Sequence, residues 1–243
     1  MSSQPVPADL QRRLRKVCSS CSLLELCLPM GLEREDVEQL DELVTPQGPL
    51  RAGEHLYRVG DDFKALYAVR SGYLKTYIID SAGREQVLGF HLPGELVGLD
   101  AIYPARHQCN AVALDTATVC RMPYEQLADL AAKIPSLQRQ MFRLLSKDIH
   151  IGQILSGDFT AEERVSSFLL GMSTRLRQRG YSATHFRLAM PRRDIANYLR
   201  LATETVSRVF KRFQDEGLIE VERREVQLLD VPGLQRLCRA VPD

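Results

Sequence analysis

Residues 190–230 read MPRRDIANYLRLATETVSRVFKRFQDEGLIEVERREVQLLD. Apolar spacing predicts a helix over 192–199, with Ile195 and Leu199 inward one turn apart and Ala196 small enough for a second helix to cross closely. A short turn at 200–202 follows. Thr203 is the expected cap of a second helix over 204–216, in which Val206, Val209, Phe210 and Phe213 share one face. Gly217 stops it. Strands over 218–222 and 226–229 flank Arg223 and Arg224. Helix, turn, helix and hairpin in this order make a winged helix-turn-helix.

The face opposite the apolar stripe carries the chemistry of base reading. Arg208 can fork to O6 and N7 of guanine, Glu204 can accept from a cytosine amino group, and Ser207 can meet donors or acceptors. Arg192, Arg193, Thr203, Lys211 and Arg212 are placed for phosphates, which position a helix without reading sequence. Charge supports a double-stranded DNA partner. The chain carries only +1 in total, but 175–212 holds ten bases against two acids, a local +8, while 31–62 holds nine acids against three bases, a local −6.

Outward from this head the texture changes twice. A length of 243 residues suits two domains, and 44% hydrophobic with 26% charged residues excludes a largely disordered chain. An acidic helix is expected over 31–44, with Leu32, Val37, Leu40 and Leu43 on one side. Eight of the fifteen glycines fall between 48 and 98, separating short β-branched and aromatic runs, which predicts a β-rich roll extending to about 122. From 123 the pattern is helical: a short helix over 124–132, a long one over 134–155, and a third over 161–178 that opens with Thr160 and Glu163 at capping-box spacing. Along the long helix Leu137, Met141, Phe142, Leu144, Leu145, Ile149, Ile151 and Leu155 form a stripe too broad for the roll alone. A second copy packed as in a parallel coiled coil is the expected use, with Met141, Phe142, Leu145 and Ile149 on the seam of a homodimer. The fold class is therefore α+β: a cysteine-rich segment (1–30), a β-roll sensor domain (31–132), a dimerisation helix (133–157) and the winged helix-turn-helix (158–243).

Cys18, Cys21 and Cys27 cluster as C-x2-C-x5-C, while Cys109, Cys120 and Cys238 are scattered. The start of the sequence lacks an apolar signal core, and no stretch approaches the roughly 18 apolar residues of a membrane span. A cytoplasmic location without membrane contact is expected, where thiols stay reduced. There a cysteine cluster favours a metal or iron–sulfur site over disulfides. Zinc on four ligands and an iron–sulfur cluster on about four thiolates both fit the spacing, and Cys109, Cys120 and Cys238 are the candidates for the fourth ligand. The five histidines form no pair at helical spacing, and no phosphate loop, dinucleotide fingerprint or nucleophile elbow is present, so an enzyme is not expected. An iron–sulfur electron carrier or redox enzyme remains the alternative from another class.

In this order the parts resemble the CRP/FNR family of bacterial transcription regulators, and within it the oxygen-responsive FNR branch. The resemblance spans nearly the whole chain and is carried by CSLLELCLP at 21–29, GFHLPGELVGLDAI at 89–102 and ETVSRVFKRFQDEG at 204–217. It implies a [4Fe–4S] cluster held by Cys18, Cys21, Cys27 and Cys120, the last in TATVCRMP, with Cys109 and Cys238 left as packing thiols. It also implies dioxygen as signal, with nitric oxide a further reactant of such a site. The implied DNA is a TTGAT-N4-ATCAA palindrome on which Arg208 takes guanine and Glu204 faces the opposing cytosine. Activation through RNA polymerase is implied too, with the turn 81–86 a candidate contact. Arg12, Arg13, Arg15 and Lys16 would offset the cluster charge.

Two departures change what the resemblance implies. Residues 98–114 lack the arginine–hydroxyl pair that grips a cyclic nucleotide in other members, so Glu95 alone predicts no such ligand. The segment 150–164 is about three residues shorter than the FNR pattern. Gly152 stands where that pattern has an acid on the dimer seam, with Asp148 the nearest carboxylate. Repulsion across the seam is thereby weakened, and dimerisation without a cluster is expected to be easier. A regulator of this family with another small effector, or with structural zinc, is the alternative reading.

Overall fold

The computed structural model describes residues 17–155 and 157–238, with only the backbone of 152–155. The basic start at Arg12, Arg13, Arg15 and Lys16 lies outside the described residues. The first described turns carry the cysteine segment into helix α1 (Arg34–Leu43), which buries Val37 and Leu40 as the spacing predicts.

Eight strands then form the roll: β1 (Thr45–Leu50), β2 (His55–Tyr57), β3 (Ala65–Ser71), β4 (Leu74–Ile79), β5 (Glu85–His91), β6 (Leu96–Val97), β7 (Asn110–Ala113) and β8 (Ala117–Pro123). They lie in two four-stranded sheets, ordered β1-β8-β3-β6 and β2-β7-β4-β5. Antiparallel pairing places Cys120, on β8, between Pro46 of β1 and Ala68 of β3. Leu74, Val69, Ala111, Ala117 and Val119 fill the space between the sheets.

Helix α2 (Tyr124–Lys133) leads into the long α3 (Pro135–Leu155). Leu137, Met141 and Leu144 of α3 join the core under the cysteine segment. Phe142 and Ile149 face outward, 62% and 63% exposed, and Leu145 is half-buried between the two sides. The seam expected from the sequence therefore divides, because a helix leaning on the roll spends part of its stripe there: Met141 belongs to the roll core, whereas Phe142 and Ile149 lie free.

Helix α4 (Ala161–Gln178) opens with the predicted capping box, Thr160 accepting from Glu163 N–H and Glu163 reaching back to Thr160 N–H. The head follows as β9 (His185–Arg187), α5 (Arg192–Tyr198), α6 (Thr203–Asp215), β10 (Ile219–Glu222), β11 (Glu225–Leu228) and α7 (Val231–Leu237). β9 adds a third strand to the wing beside β11; three residues offer too short an alternation to announce a strand. The cap of α6 is Ala202, which offers no side-chain acceptor, so Thr203 is the first helical residue rather than the expected cap. Cys238 ends α7 with its Sγ 3.2 Å from Ser167 Oγ, and Cys109 is buried.

Candidate sensing site and DNA-reading face

Cys18, Cys21, Cys27 and Cys120 line one small apolar cavity of about 20 Å³, together with Leu24, Leu28, Leu40, Ala68 and Met122. Turns position the first three: Cys21 N–H bonds Cys18 carbonyl at 2.9 Å, and Met30 N–H bonds Cys27 carbonyl at 3.1 Å. Strand β8 delivers the fourth from a hundred residues away. All six cysteines are free thiols. Among the described residues no three His, Cys, Asp or Glu side chains close on a single metal ion.

Burial pushes the Cys27 thiol up to about 12, with nearby Cys120 and Cys21 adding to it. Cys18 rises further, through burial first and the Asp41 carboxylate second. Cys120 rises through burial, partly relieved by the Arg70 guanidinium. A cation bound beside Cys18, Cys27 and Cys120 would favour their thiolate forms against this burial. Arg70, on the cavity wall, is a cation that the sequence did not single out, because register across β3 and β8 brings it there.

The face expected to read DNA lies on α6. Glu204, Ser207, Arg208, Lys211 and Arg212 are exposed, while Val206, Val209, Phe210 and Phe213 are buried. Ser207 hydroxyl donates to Thr203 carbonyl at 2.8 Å, and Arg208 reaches Thr205 Oγ1 at 3.3 Å, so both polar ends rest on their own helix. Arg212 pairs with Glu216 and Glu162 at the surface. Arg193 is exposed and Thr203 is half-buried. Arg192 departs from the expected phosphate set. Its guanidinium stacks on the Phe210 ring, 3.5 Å from the centroid, and burial lowers its basicity. Facing α6 from the first turn of α5, it braces the two helices instead of pointing outward.

The roll and the head meet through buried charge. Lys75 on β4 donates to Asp194 on α5 at 2.7 Å and to Glu85 at 2.6 Å. Glu95, which no nucleotide partner was expected to claim, receives Arg175 of α4 and Arg179, which caps that helix, at 2.6 and 2.8 Å. Asn197 donates to the Glu85 carbonyl and accepts from Val87 N–H. Of the turn 81–86, only the tip Ser81–Arg84 is exposed.

The comparisons with known proteins agree with this division. Residues 48–133 match the model of a cyclic nucleotide-binding domain, and residues 163–237 that of a Crp-like helix-turn-helix domain. The transcriptional activator protein Anr of Pseudomonas protegens is 48% identical over 227 residues, 92% of this chain and 93% of that one. The chain belongs to the CRP/FNR family. The fumarate and nitrate reduction regulatory protein of Escherichia coli K12 is 43% identical over 224 residues, covering 91% of this chain and 90% of that protein, which places the chain in the FNR branch. The structure of FixK2 from Bradyrhizobium japonicum superposes with a TM-score of 0.73 at 30% identity, over 81% of this chain and 98% of that one. This is a family of DNA-binding regulators, not enzymes. Among the described residues no helix is long and apolar enough to cross a membrane.

Proposed function

We propose that this CRP/FNR family member is an oxygen-responsive transcription activator. In this reading it holds a [4Fe–4S] cluster on Cys18, Cys21, Cys27 and Cys120 and binds, as a homodimer, a TTGAT-N4-ATCAA palindrome to control anaerobic genes. The observation that carries the reading is the single cavity shared by four thiols from two distant segments. Four cysteine thiolates are the donor set that an iron–sulfur cluster takes. The bound cluster would supply the reactivity toward dioxygen, and toward nitric oxide.

The chain's own residues do the rest. Cys120 is fixed on the central strand of its sheet, whereas Cys18, Cys21 and Cys27 sit on turns. The void is near the size of one water, so room for a larger group comes from the 20–27 segment moving outward from β8. Phe142 and Ile149 on α3 would meet a second copy. Two α6 helices would then fall about one DNA turn, roughly 34 Å, apart. Arg208 and Glu204 would read the G·C pair, and Arg193, Lys211 and Arg212 would hold phosphates. The exposed tip Ser81–Arg84 is the candidate contact for RNA polymerase. Glu95 is held by two arginines, which supports the expectation that no cyclic nucleotide binds.

The test is anaerobic purification with iron and sulfide analysis, followed by binding to the palindrome before and after exposure to air. Iron and sulfide near four each per chain, with binding lost in air, is the expected result. A colourless protein containing zinc would overturn the sensor and leave DNA binding intact.

A further inference from the structure

Asp41 lies on α1 and is 6% exposed, a position where a carboxylate is costly unless fully hydrogen-bonded. One of its oxygens accepts Val17 N–H at 3.0 Å and Cys18 N–H at 2.5 Å. The other accepts Ser19 N–H at 3.2 Å and the Ser19 hydroxyl at 2.6 Å. Four donors from three consecutive residues thus converge on one side chain more than twenty positions away. The chemistry selects aspartate. An asparagine in the same place would offer one acceptor oxygen and turn an amino group toward backbone N–H groups.

These bonds fix one end of the cysteine segment. The other end is fixed by Leu28, which is fully buried. Between them Ser20 to Cys27 follow short turns and one three-residue helical turn, Leu24–Leu26, with no buried residue of its own. The segment that must move to enlarge the cavity therefore hangs between two anchors, and the anchor beside Cys18 is a single carboxylate.

We propose that Asp41 is a positioning residue of the sensing site: by clamping the backbone at 17–19 it holds the Cys18 sulfur in place against Cys120 while the 20–27 segment opens and closes. This rests on the cluster reading above. The clamp also puts a negative charge beside Cys18, whose N–H it holds, and a charge there disfavours further negative charge on the sulfurs. Removing it should loosen the loop and at the same time ease reduction of whatever the sulfurs hold, two effects that a purely structural role would not combine.

The test uses the full-length chain with D41N, D41A and S19A. In cluster-free protein, hydrogen exchange at residues 17–19 is expected to quicken at least tenfold in D41A and by less in S19A, with exchange in α4 and α6 unchanged. After anaerobic reconstitution, D41N should lose iron in air several-fold faster than the parent and show a higher reduction midpoint. Should D41A fold poorly, D41N with parental head exchange decides. Parental exchange at 17–19 together with parental iron retention in D41N would overturn the proposal. A parent chain that takes up no iron would instead overturn the cluster reading, and the exchange data would still decide whether Asp41 is the anchor.

Discussion

Arg208 and Lys211 stand one turn apart on the exposed face of α6, yet they should fail differently. A guanidinium can fork to two acceptors on one guanine, and an ammonium cannot. Arg208→Lys should therefore cost about 1–3 kcal/mol on the palindrome, roughly 5- to 150-fold in Kd, while leaving binding to unrelated DNA near parental. Lys211→Ala should weaken both DNAs alike and reduce the slope of log K against log salt by about one. Titration of both variants on the two DNAs at several salt concentrations separates base reading from phosphate contact; equal losses on both DNAs for Arg208→Lys would remove Arg208 from the base-reading set. The thiols make a second prediction. Cys18 and Cys27 stay protonated in the folded chain well above the ordinary value of 9.0, whereas the unfolded chain ionises there. Between pH 9 and about 12 the folded state holds more protons, so stability is intact below pH 9 and falls as pH rises above it, by about 1.4 kcal/mol per pH unit for each thiol. Urea midpoints of cluster-free protein between pH 8 and 10.5 should show this fall, and Cys27→Ser should make it shallower.

Elements separate what patterning reveals from what it hides. The capping box of α4, the apolar face of α6 and the glycine stop after it, with Gly217 at φ +69°, are local chemistry, and the sequence states them directly. The cysteine pattern shows three members of a thiol set, and the fourth was supplied by resemblance, because strand register is not written in spacing. Arg192 looks like its neighbour Arg193 in sequence; only the crossing of α5 over Phe210 turns one inward and leaves the other out. The stripe on α3 is a similar case, since periodicity marks apolar residues without saying which of two partners each one meets. The structure assigns them, and a prediction follows. Ile149→Glu should abolish self-association, measured by sedimentation, and leave the Tm of the monomer within a degree or two, because the side chain is 63% exposed. Met141→Ala should lower stability by about 1–2 kcal/mol, less than the roughly 2–5 kcal/mol of a fully buried methionine truncation because Met141 is only partly buried, with less effect on association. If Ile149→Glu still forms dimers, the exposed side of α3 is not the seam.

At the scale of the whole molecule, the cysteine segment and the DNA head both touch the turn at Gly94 and Glu95. Leu26, one residue before Cys27, rests on Gly94, where an added Cβ would stand 3.1 Å from the Leu26 Cβ and the backbone has φ +91°. The next residue, Glu95, accepts from Leu92 N–H in its own turn and takes both Arg175 of α4 and Arg179 at its C-cap. Burial alone would raise the Glu95 carboxyl, but the Arg175 and Arg179 guanidinium groups overcome it and bring it down to about 2. Its share of stability is therefore full above the usual carboxylate range and is lost as pH falls from about 4.5 toward 2. Arg179 has a side chain only 3% exposed, so removing its counter-charge leaves a buried cation unpaired, a change that typically costs about 3–5 kcal/mol. Glu95→Gln should accordingly destabilise the chain by an amount of that order and flatten its stability between pH 4.5 and 3. It should also raise hydrogen exchange in α4 more than in α6, since the two arginines lie in the last turn and at the C-cap of α4. Contact alone does not establish coupling between sites, so the decisive measurement is a double-mutant cycle. Gly94→Ala pushes on Leu26, and Glu95→Gln frees α4; if the turn transmits the state of the cysteine segment, their effects on DNA affinity should depart from additivity by about 0.5–2 kcal/mol. Additive effects would mean that the cysteine segment and the head share a turn without communicating through it, and would leave dimerisation along α3 as the path from sensor to DNA.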